Sequence, residues 1–444
     1  MNFCYADKKA GRDVILMQIS QLEQMLNQGR YEKTFSYLYG DKAGSQTERY
    51  LAAVKSFHHI FAQDGEAELY SAPGRTEVCG NHTDHQHGRV MAAGVDLDVI
   101  AVASKNSENI IRIQSEGYPL DEIDLSDLSV KESEKNTAAA LIRGVAAKFQ
   151  DLGIRIGGFN AYTTSNVLKG SGLSSSAAFE VLVGVILNDL WGEGKLTSVQ
   201  IAQIGQYAEN VYFGKPSGLM DQTASAVGGF VAIDFQDPGS PIVEQVKVNF
   251  AASGYKLCIV DTGGSHADLT GDYAKIPEEM GSVADVFGKK VLREVDPEEF
   301  YKSLAKVRET CNDRAILRAI HFFADNDRVS KEQKALEQKD YHSFLDLVIE
   351  SGHSSYMYLQ NVYPCSTPQE QGLSLALAIS ERILKGQGAW RVHGGGFAGT
   401  IQCFVPEALL EAYRTAIEAV FGAGTCHILS IRPVGGIHVT ENLI

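Results

Sequence analysis

Residues 170–178 read Gly-Ser-Gly-Leu-Ser-Ser-Ser-Ala-Ala, and the apolar run 179–190 follows directly. A glycine-and-serine turn that opens a buried helix offers unpaired backbone N–H groups and hydroxyls at the positive end of the helix dipole. The chemistry this suits is the grip on a chain of phosphates. The plainer alternative is a flexible loop that caps a core helix. Lys169 lies before the glycines and no Gly-Lys-Ser/Thr closes the run, so it is not a Walker A loop. Nor is it a dinucleotide fingerprint, because Ser175 stands where the third glycine would be.

A second constellation runs from Gly74-Arg75-Thr76-Glu77 through Cys79-Gly80-Asn81-His82-Thr83-Asp84-His85-Gln86-His87-Gly88. Histidines and an aspartate this close raise the question of a metal site built from His82, Asp84, His85 and His87. In an extended segment, however, His82 and Asp84 share a face while His85 points away. An arginine, an amide, an imidazole and a carboxylate between glycines suit a polyhydroxylated ligand, whose hydroxyls each want a donor and an acceptor. A solvated turn is the third option.

The third constellation is Glu209 and Asp221, separated by the Lys215-Pro216-Ser217-Gly218 turn. Two such carboxylates can divide two tasks, one holding Mg²⁺ beside phosphates and the other orienting and deprotonating a hydroxyl. Taken alone, they also read as surface or capping groups.

The elements that must position these groups are mixed. Spacing predicts helices over 11–63, 136–151, 174–191, 197–213, 296–325, 331–351, 368–386 and 406–421, the last with Pro406 at its first position. Strands are predicted at 76–79, 95–104, 110–113, 154–164, 229–235, 256–261 and 401–405. There is no strict β-α alternation, so the expected class is α+β. A lobe boundary is placed near residue 230, with 1–230 as the first lobe (1–63 a helical extension) and 231–444 as the second.

The chain has 444 residues, 44% apolar and 21% charged, with a net charge of −15. That acidity disfavours nucleic acid and anionic membrane as partners but not a local phosphate site made of backbone amides. Seven scattered cysteines without a CxxC argue against a disulfide framework or zinc site and point to a reducing cytoplasm. The mixed, charged segment 1–30 has no signal-type apolar block, and no stretch reaches membrane-span length.

Together the motifs resemble the GHMP small-molecule kinases and, within them, the galactokinases. Residues 74–85 resemble the signature that usually reads Gly-Arg-Val-Asn-Leu-Ile-Gly-Glu-His-Thr-Asp-Tyr, and 170–178 the family's ATP-phosphate motif. Ser217-Gly218-Leu219-Met220-Asp221-Gln222 resembles Cys-Gly-Ile-Met-Asp-Gln, and 394–399 the C-terminal Gly-Gly-Gly-Phe-Gly-Gly loop.

The resemblance implies a two-lobed GHMP kinase fold, with a ribosomal-protein-S5-like first lobe, a ferredoxin-like second lobe and the active site in the cleft. It implies ATP and Mg²⁺ with a small-molecule sugar; the oligomeric state is left open, a monomer being compatible with it. It makes Asp221 the catalytic carboxylate and Arg75 its partner at the transferring phosphoryl group. Asn81, His82, Asp84, Gly218 and Tyr273 would bind sugar. Gly170, Ser171, Gly172, Leu173, Ser174, Ser175 and Ser176 would wrap ATP, and Ser175 and Glu209 would hold Mg²⁺. Gly395 and Gly396 would let the backbone pass close to the site.

The sequence departs from the family pattern at four places. Asn81 stands where galactokinases carry the glutamate that reaches the sugar's C6 hydroxyl, and His85 replaces a tyrosine. Residues 261–266 replace an Asn-rich stretch, and no arginine cluster follows Tyr273. No adenine-side tryptophan occurs at 137–141; Ser104 to Asn106 is the stretch assigned to the base instead. The expected reaction is phosphorylation of galactose at C1. The alternatives are the same reaction on galacturonate, whose C6 carboxylate an asparagine tolerates, a catalytically silent galactose/ATP sensor, and a metal hydrolase.

Overall fold

Strands Glu66–Cys79 and Arg89–Lys105 pair antiparallel and form the spine of the molecule. The computed structural model describes residues 17–61, 65–168, 171–264 and 269–440. Both strands are buried almost throughout, which matches their runs of Val, Ile and Ala and a sheet covered on both faces. The first is far longer than the predicted 76–79, because it runs on through Pro73. Register slips between Pro73 and Arg75 and between Glu77 and Cys79 bend it there. Such bulges re-aim side chains, and here they turn Arg75 towards the cleft.

Beyond the bend the partners change. The first part of Arg89–Lys105 pairs with Phe230–Asp234, which continues to Ile242–Val246. Its second part pairs with Phe159–Ser165. That strand runs parallel to Ile110–Ser115 and is itself shorter than predicted. Ile437–His438 returns from the far end of the chain to pair with Glu66–Cys79. The second sheet is antiparallel, in the order Ala389–Val392, Thr400–Pro406, Tyr255–Asp261, Cys426–Leu429. Helices Tyr341–Ser354, Gly372–Leu384 and Leu410–Phe421 pack against it. The class is α+β, as expected. Pro406 ends a strand rather than starting the last helix, which begins after a 3₁₀ turn at Glu407–Leu409.

Three helices, Ile19–Asn27, Glu32–Tyr39 and Gln46–Phe61, cover one face of the first sheet. Leu22, Phe35, Tyr50 and Phe57 meet Leu69, Ile100 and Val102 there in a cluster of their own. The expected helicity at 11–16 and 62–63 lies outside the described residues. The helices are also tied by charge. Fully buried Asp98 accepts hydrogen bonds from Tyr39 Oη at 2.6 Å, Arg49 Nη1 at 2.6 Å and Arg432 Nη1 at 2.9 Å. Burial pushes its pKa up, but the two guanidiniums outweigh that and hold it below the usual carboxylate range.

The largest departure from the sequence reading is Asp313–Glu337, a single 25-residue helix where two were expected with a break at 326–330. The stretch 326–330 continues the helix with Asp327 and Ser330 exposed and Val329 buried. Asp325 is fully buried and accepts the backbone N–H groups of Gly80 and Asn81 at 3.3 Å each, so this helix carries the turn at 80–87. The helix predicted over 197–213 ends its regular part at Tyr207 and continues as a π-turn, Ala208–Phe213, which presents Glu209. No described helix is long and apolar enough to cross a membrane.

Candidate active site

Arg75 and Asp221, 146 residues apart, meet as a fork. Arg75 Nε donates to Asp221 Oδ1 at 2.7 Å, and Arg75 Nη2 lies 2.7 Å from Asp221 Oδ2. Ser174 Oγ donates to the same Oδ2 at 2.7 Å. Asp221 sits in the first turn of helix Met220–Val227, where the dipole favours an anion. Burial raises its pKa, yet Arg75 and Ser174 more than offset this and keep it below the ordinary range. Its side chain remains 23% exposed to the cleft, so an ionised carboxylate faces whatever enters.

The phosphate turn surrounds this pair. Arg75 Nη1 donates to Gly172 O, and Arg75 N donates to Leu173 O at 3.0 Å. Gly172 (φ 71°) and Ser174 (φ 55°) both lie in the left-handed region. That geometry is uncommon for serine and folds the chain into a tight amide-rich turn ahead of helix Ser175–Leu190. Leu173 is buried, and Ser171 Oγ donates inward to Leu168 O at 2.8 Å, so these two offer backbone alone. Gly170 lies outside the described residues.

The serines at the helix start face different ways, and this corrects the expected metal pair. Ser176 Oγ, not Ser175, meets Glu209, at 3.1 Å from Oε1. Consecutive helical residues point about 100° apart, and Ser175 instead lines a cavity of about 620 Å³ with Val99, Val167, Phe179, Tyr118 and Thr137. Glu209 is buried, with Lys215 Nζ at 2.9 Å, Ser217 Oγ at 2.5 Å and Gln222 Nε2 at 2.9 Å donating to it. Ser104 and Asn106, assigned to the base, are not part of that cavity. Asn106 Nδ2 donates to Asn160 Oδ1 at 2.9 Å within the sheet.

On the other side of Asp221 lies the segment 80–88, which is not extended as expected. It turns through left-handed His82 and His87 around a 3₁₀ turn at Asp84–Gln86. His82 and His85 therefore stack, at 6.1 Å, instead of pointing apart. His82 Nε2 donates to Gly395 O at 2.9 Å, and burial pushes its pKa down to about 4. Tyr273 Oη donates to Gly396 O at 2.8 Å, so the glycine loop binds both rings. Asp84 packs on Gly218, where a Cβ would collide with Asp84 Oδ2. The described residues contain no group of three or more His, Cys, Asp or Glu placed to hold a metal.

Asn81 is the clearest correction. It is fully buried and its amide is used up within the protein. Nδ2 donates to Glu77 Oε1 at 2.8 Å and Gly394 O at 2.7 Å, and Oδ1 accepts from Asn361 Nδ2 at 2.6 Å. In the structure it serves as a hub of the turn. Sequence reasoning passed over Glu77, although the signal was present: Glu77 and Asn81 exchange the Asn and Glu of the usual signature.

Comparison with known proteins agrees with this geometry. Residues 140–229 match the GHMP kinases N terminal domain, and 55–105 match the galactokinase galactose-binding signature. The galactokinase of Streptomyces coelicolor is 30% identical over 370 residues, covering 83% of this chain and 92% of that protein. That of Actinobacillus pleuropneumoniae is 32% identical over 353 residues, covering 79% and 88%. Among solved structures, Lactococcus lactis galactokinase complexed with galactose superposes with a TM-score of 0.74 at 24% identity, covering 86% of this chain and 98% of that one. Methanococcus jannaschii mevalonate kinase gives 0.59 at 14% identity, covering 83% and 99%.

Proposed function

Since this chain belongs to the galactokinase family, we propose that it transfers the γ-phosphoryl group of ATP to the anomeric hydroxyl of galactose, giving galactose 1-phosphate and ADP. The observation that carries this reading is the Arg75–Asp221–Ser174 cluster. It holds an ionised carboxylate and a guanidinium at the lip of an amide-rich turn.

Phosphoryl transfer passes through a loose transition state and asks mainly for alignment and positive charge. Asp221 accepts the hydrogen bond of the sugar's O1–H and aims it at the terminal phosphorus. The O1–P bond forms as the bond from phosphorus to the bridging oxygen breaks, and ADP leaves with that electron pair. The proton of O1 passes to Asp221 and then to solvent. A depressed pKa makes Asp221 a weak base, so it takes the proton late. An anomeric hydroxyl, more acidic than an ordinary alcohol, tolerates this. Arg75 spreads positive charge over the transferring group and keeps Asp221 ionised.

The turn 171–176 cradles the phosphates with its amides, and the adjoining, mostly apolar cavity suits the nucleoside. Ser176 and Glu209 supply neighbouring hard oxygen donors and fit Mg²⁺, which usually takes one or two protein ligands beside phosphate. When bound, the ion would neutralise charge on the β- and γ-phosphates. His82, Asp84 and Tyr273 form the wall that takes sugar hydroxyls, with Gly218 leaving room for Asp84. The described cysteines are all free thiols, which supports a cytoplasmic setting.

The uronate alternative rested on Asn81 tolerating a C6 carboxylate that glutamate would repel, and on the Asp84-His85-Gln86 run. The Asn81 amide is committed inside the protein, and the Glu77 carboxylate stands against it, so galactose is the better reading. The test is steady-state turnover with ATP, Mg²⁺ and a panel of galactose, galacturonate, glucose and arabinose. Galactose is expected to lead the panel. Turnover of galacturonate with none of galactose would reverse the assignment.

A further inference from the structure

His393 follows strand Ala389–Val392 of the second sheet, and its ring is fully buried between the two sheets' active-site elements. Thr400 Oγ1 has one hydrogen and gives it to Ser171 O, at 3.1 Å. His393 Nδ1, 2.9 Å from that oxygen, must therefore be the donor. Nε2 is then bare and accepts the backbone N–H of Glu77 at 3.4 Å. The Thr76 hydroxyl lies 3.1 Å from Nε2 but gives its one hydrogen to Gln402 Oε1, so the Glu77 N–H is the donor that Nε2 receives. One neutral tautomer thus joins the phosphate turn, the strand of Arg75 and the second sheet.

The ring also packs on the turn itself. A Cβ at Gly172 would stand 3.1 Å from His393 Nδ1, so glycine lets the two approach. Arg75 holds residues 172 and 173 from one side, and the His393–Thr400 pair holds residue 171 from the other.

We propose that His393 is a positioning residue that fixes the phosphate turn against the strand carrying Arg75. Its effect is exerted through Thr400 and the Ser171 carbonyl. This rests on the phosphoryl-transfer reading above and adds a residue that reading does not use. Burial, with Arg75 and Arg391 adding to it, pushes the His393 pKa down to about 3, so the ring stays neutral at working pH and moves no proton. Its contribution is alignment, and small misplacements of a reacting group are costly, up to about a hundredfold for 1 Å.

The test compares H393A, H393N, T400V and T400S by steady-state kinetics and by calorimetric titration with ATP. Losing one positioning bond is worth about tenfold. H393A and T400V should each raise the Kd and KM for ATP by about that factor and leave the KM for galactose within about twofold. H393N, whose side-chain N–H stands in for Nδ1–H, and T400S, which keeps the hydroxyl, should recover most of the loss. The H393A/T400V double variant should be no worse than H393A.

The proposal fails if H393N is as impaired as H393A, if the two losses add, or if both KM values rise together. Should H393A not fold, the contrast between T400V and T400S decides the matter. A wild-type chain inert towards galactose would sink the proposed reaction, yet the ATP titrations would still judge His393.

Discussion

Asn81 donates a 2.8 Å hydrogen bond to Glu77, four residues back, and both side chains are buried. The pair exchanges the amide and carboxylate of the family signature. The carboxylate therefore moves from the turn into the strand, where Arg391 Nη2 lies 3.6 Å away. Burial raises the Glu77 pKa from 4.5 to about 7, against the pull of Arg391, Arg75 and Asn81.

That shift has a sign. Between pH 4.5 and 7 the folded chain holds a proton on Glu77 that the unfolded chain releases. Stability therefore falls as pH rises through this window and levels off above it. E77Q, still able to accept from Asn81, should flatten this part of the Tm–pH curve and stabilise the protein at pH 8 by on the order of 1–3 kcal/mol. Scanning calorimetry at pH 5, 6, 7 and 8 checks it; parallel curves for E77Q and wild type would refute it.

His438 gives the opposite case, a base raised by its partners. Nε2 lies 2.9 Å from Glu68 Oε2 and Nδ1 3.2 Å from Asp189 Oδ2, and the ring stacks on Tyr70. Burial lowers the pKa, but the two carboxylates win and lift it from 6.5 to about 9. The stabilisation is complete below 6.5 and is lost as pH rises through 9. H438Q should cost on the order of 2 kcal/mol at pH 6 and much less at pH 10. Equal losses at the two pH values would show that the ring is not charged in the folded chain.

On the proposed reading, the two hydroxyls at the start of helix Ser175–Leu190 divide between metal and nucleoside. S176A should raise the Mg²⁺ concentration for half-maximal rate about tenfold, whereas S175A should leave it within about twofold. A magnesium titration at saturating ATP reads the difference. The reverse order would restore Ser175 as the ligand beside Glu209.

These predictions also mark what could be read before folding. The phosphate turn was legible because a tight amide-rich bend leaves a local signature of glycine and serine. The pairing of Arg75 with Asp221 was legible only through family resemblance, since nothing in their spacing says they will touch. Asn81 misled because its neighbours in space, Gly394 and Asn361, are some 300 residues away in the chain. His393 was invisible for the same reason: its partners Thr76 and Glu77 lie more than 300 residues away, and it reaches Ser171 only through Thr400. The helix Asp313–Glu337 looked broken because the stretch after Asp325 is polar, while the contact that holds Asp325 comes from amides of a distant turn.

The most direct measurement is ³¹P NMR of the product formed from ATP and galactose by wild type and by D221N. Wild type should yield a phosphate ester at the anomeric carbon, split by H1, and D221N should bind ATP yet form the ester at least about a hundredfold more slowly. An ester on any other hydroxyl, or equal product from D221N, would contradict the alignment of O1 by Asp221.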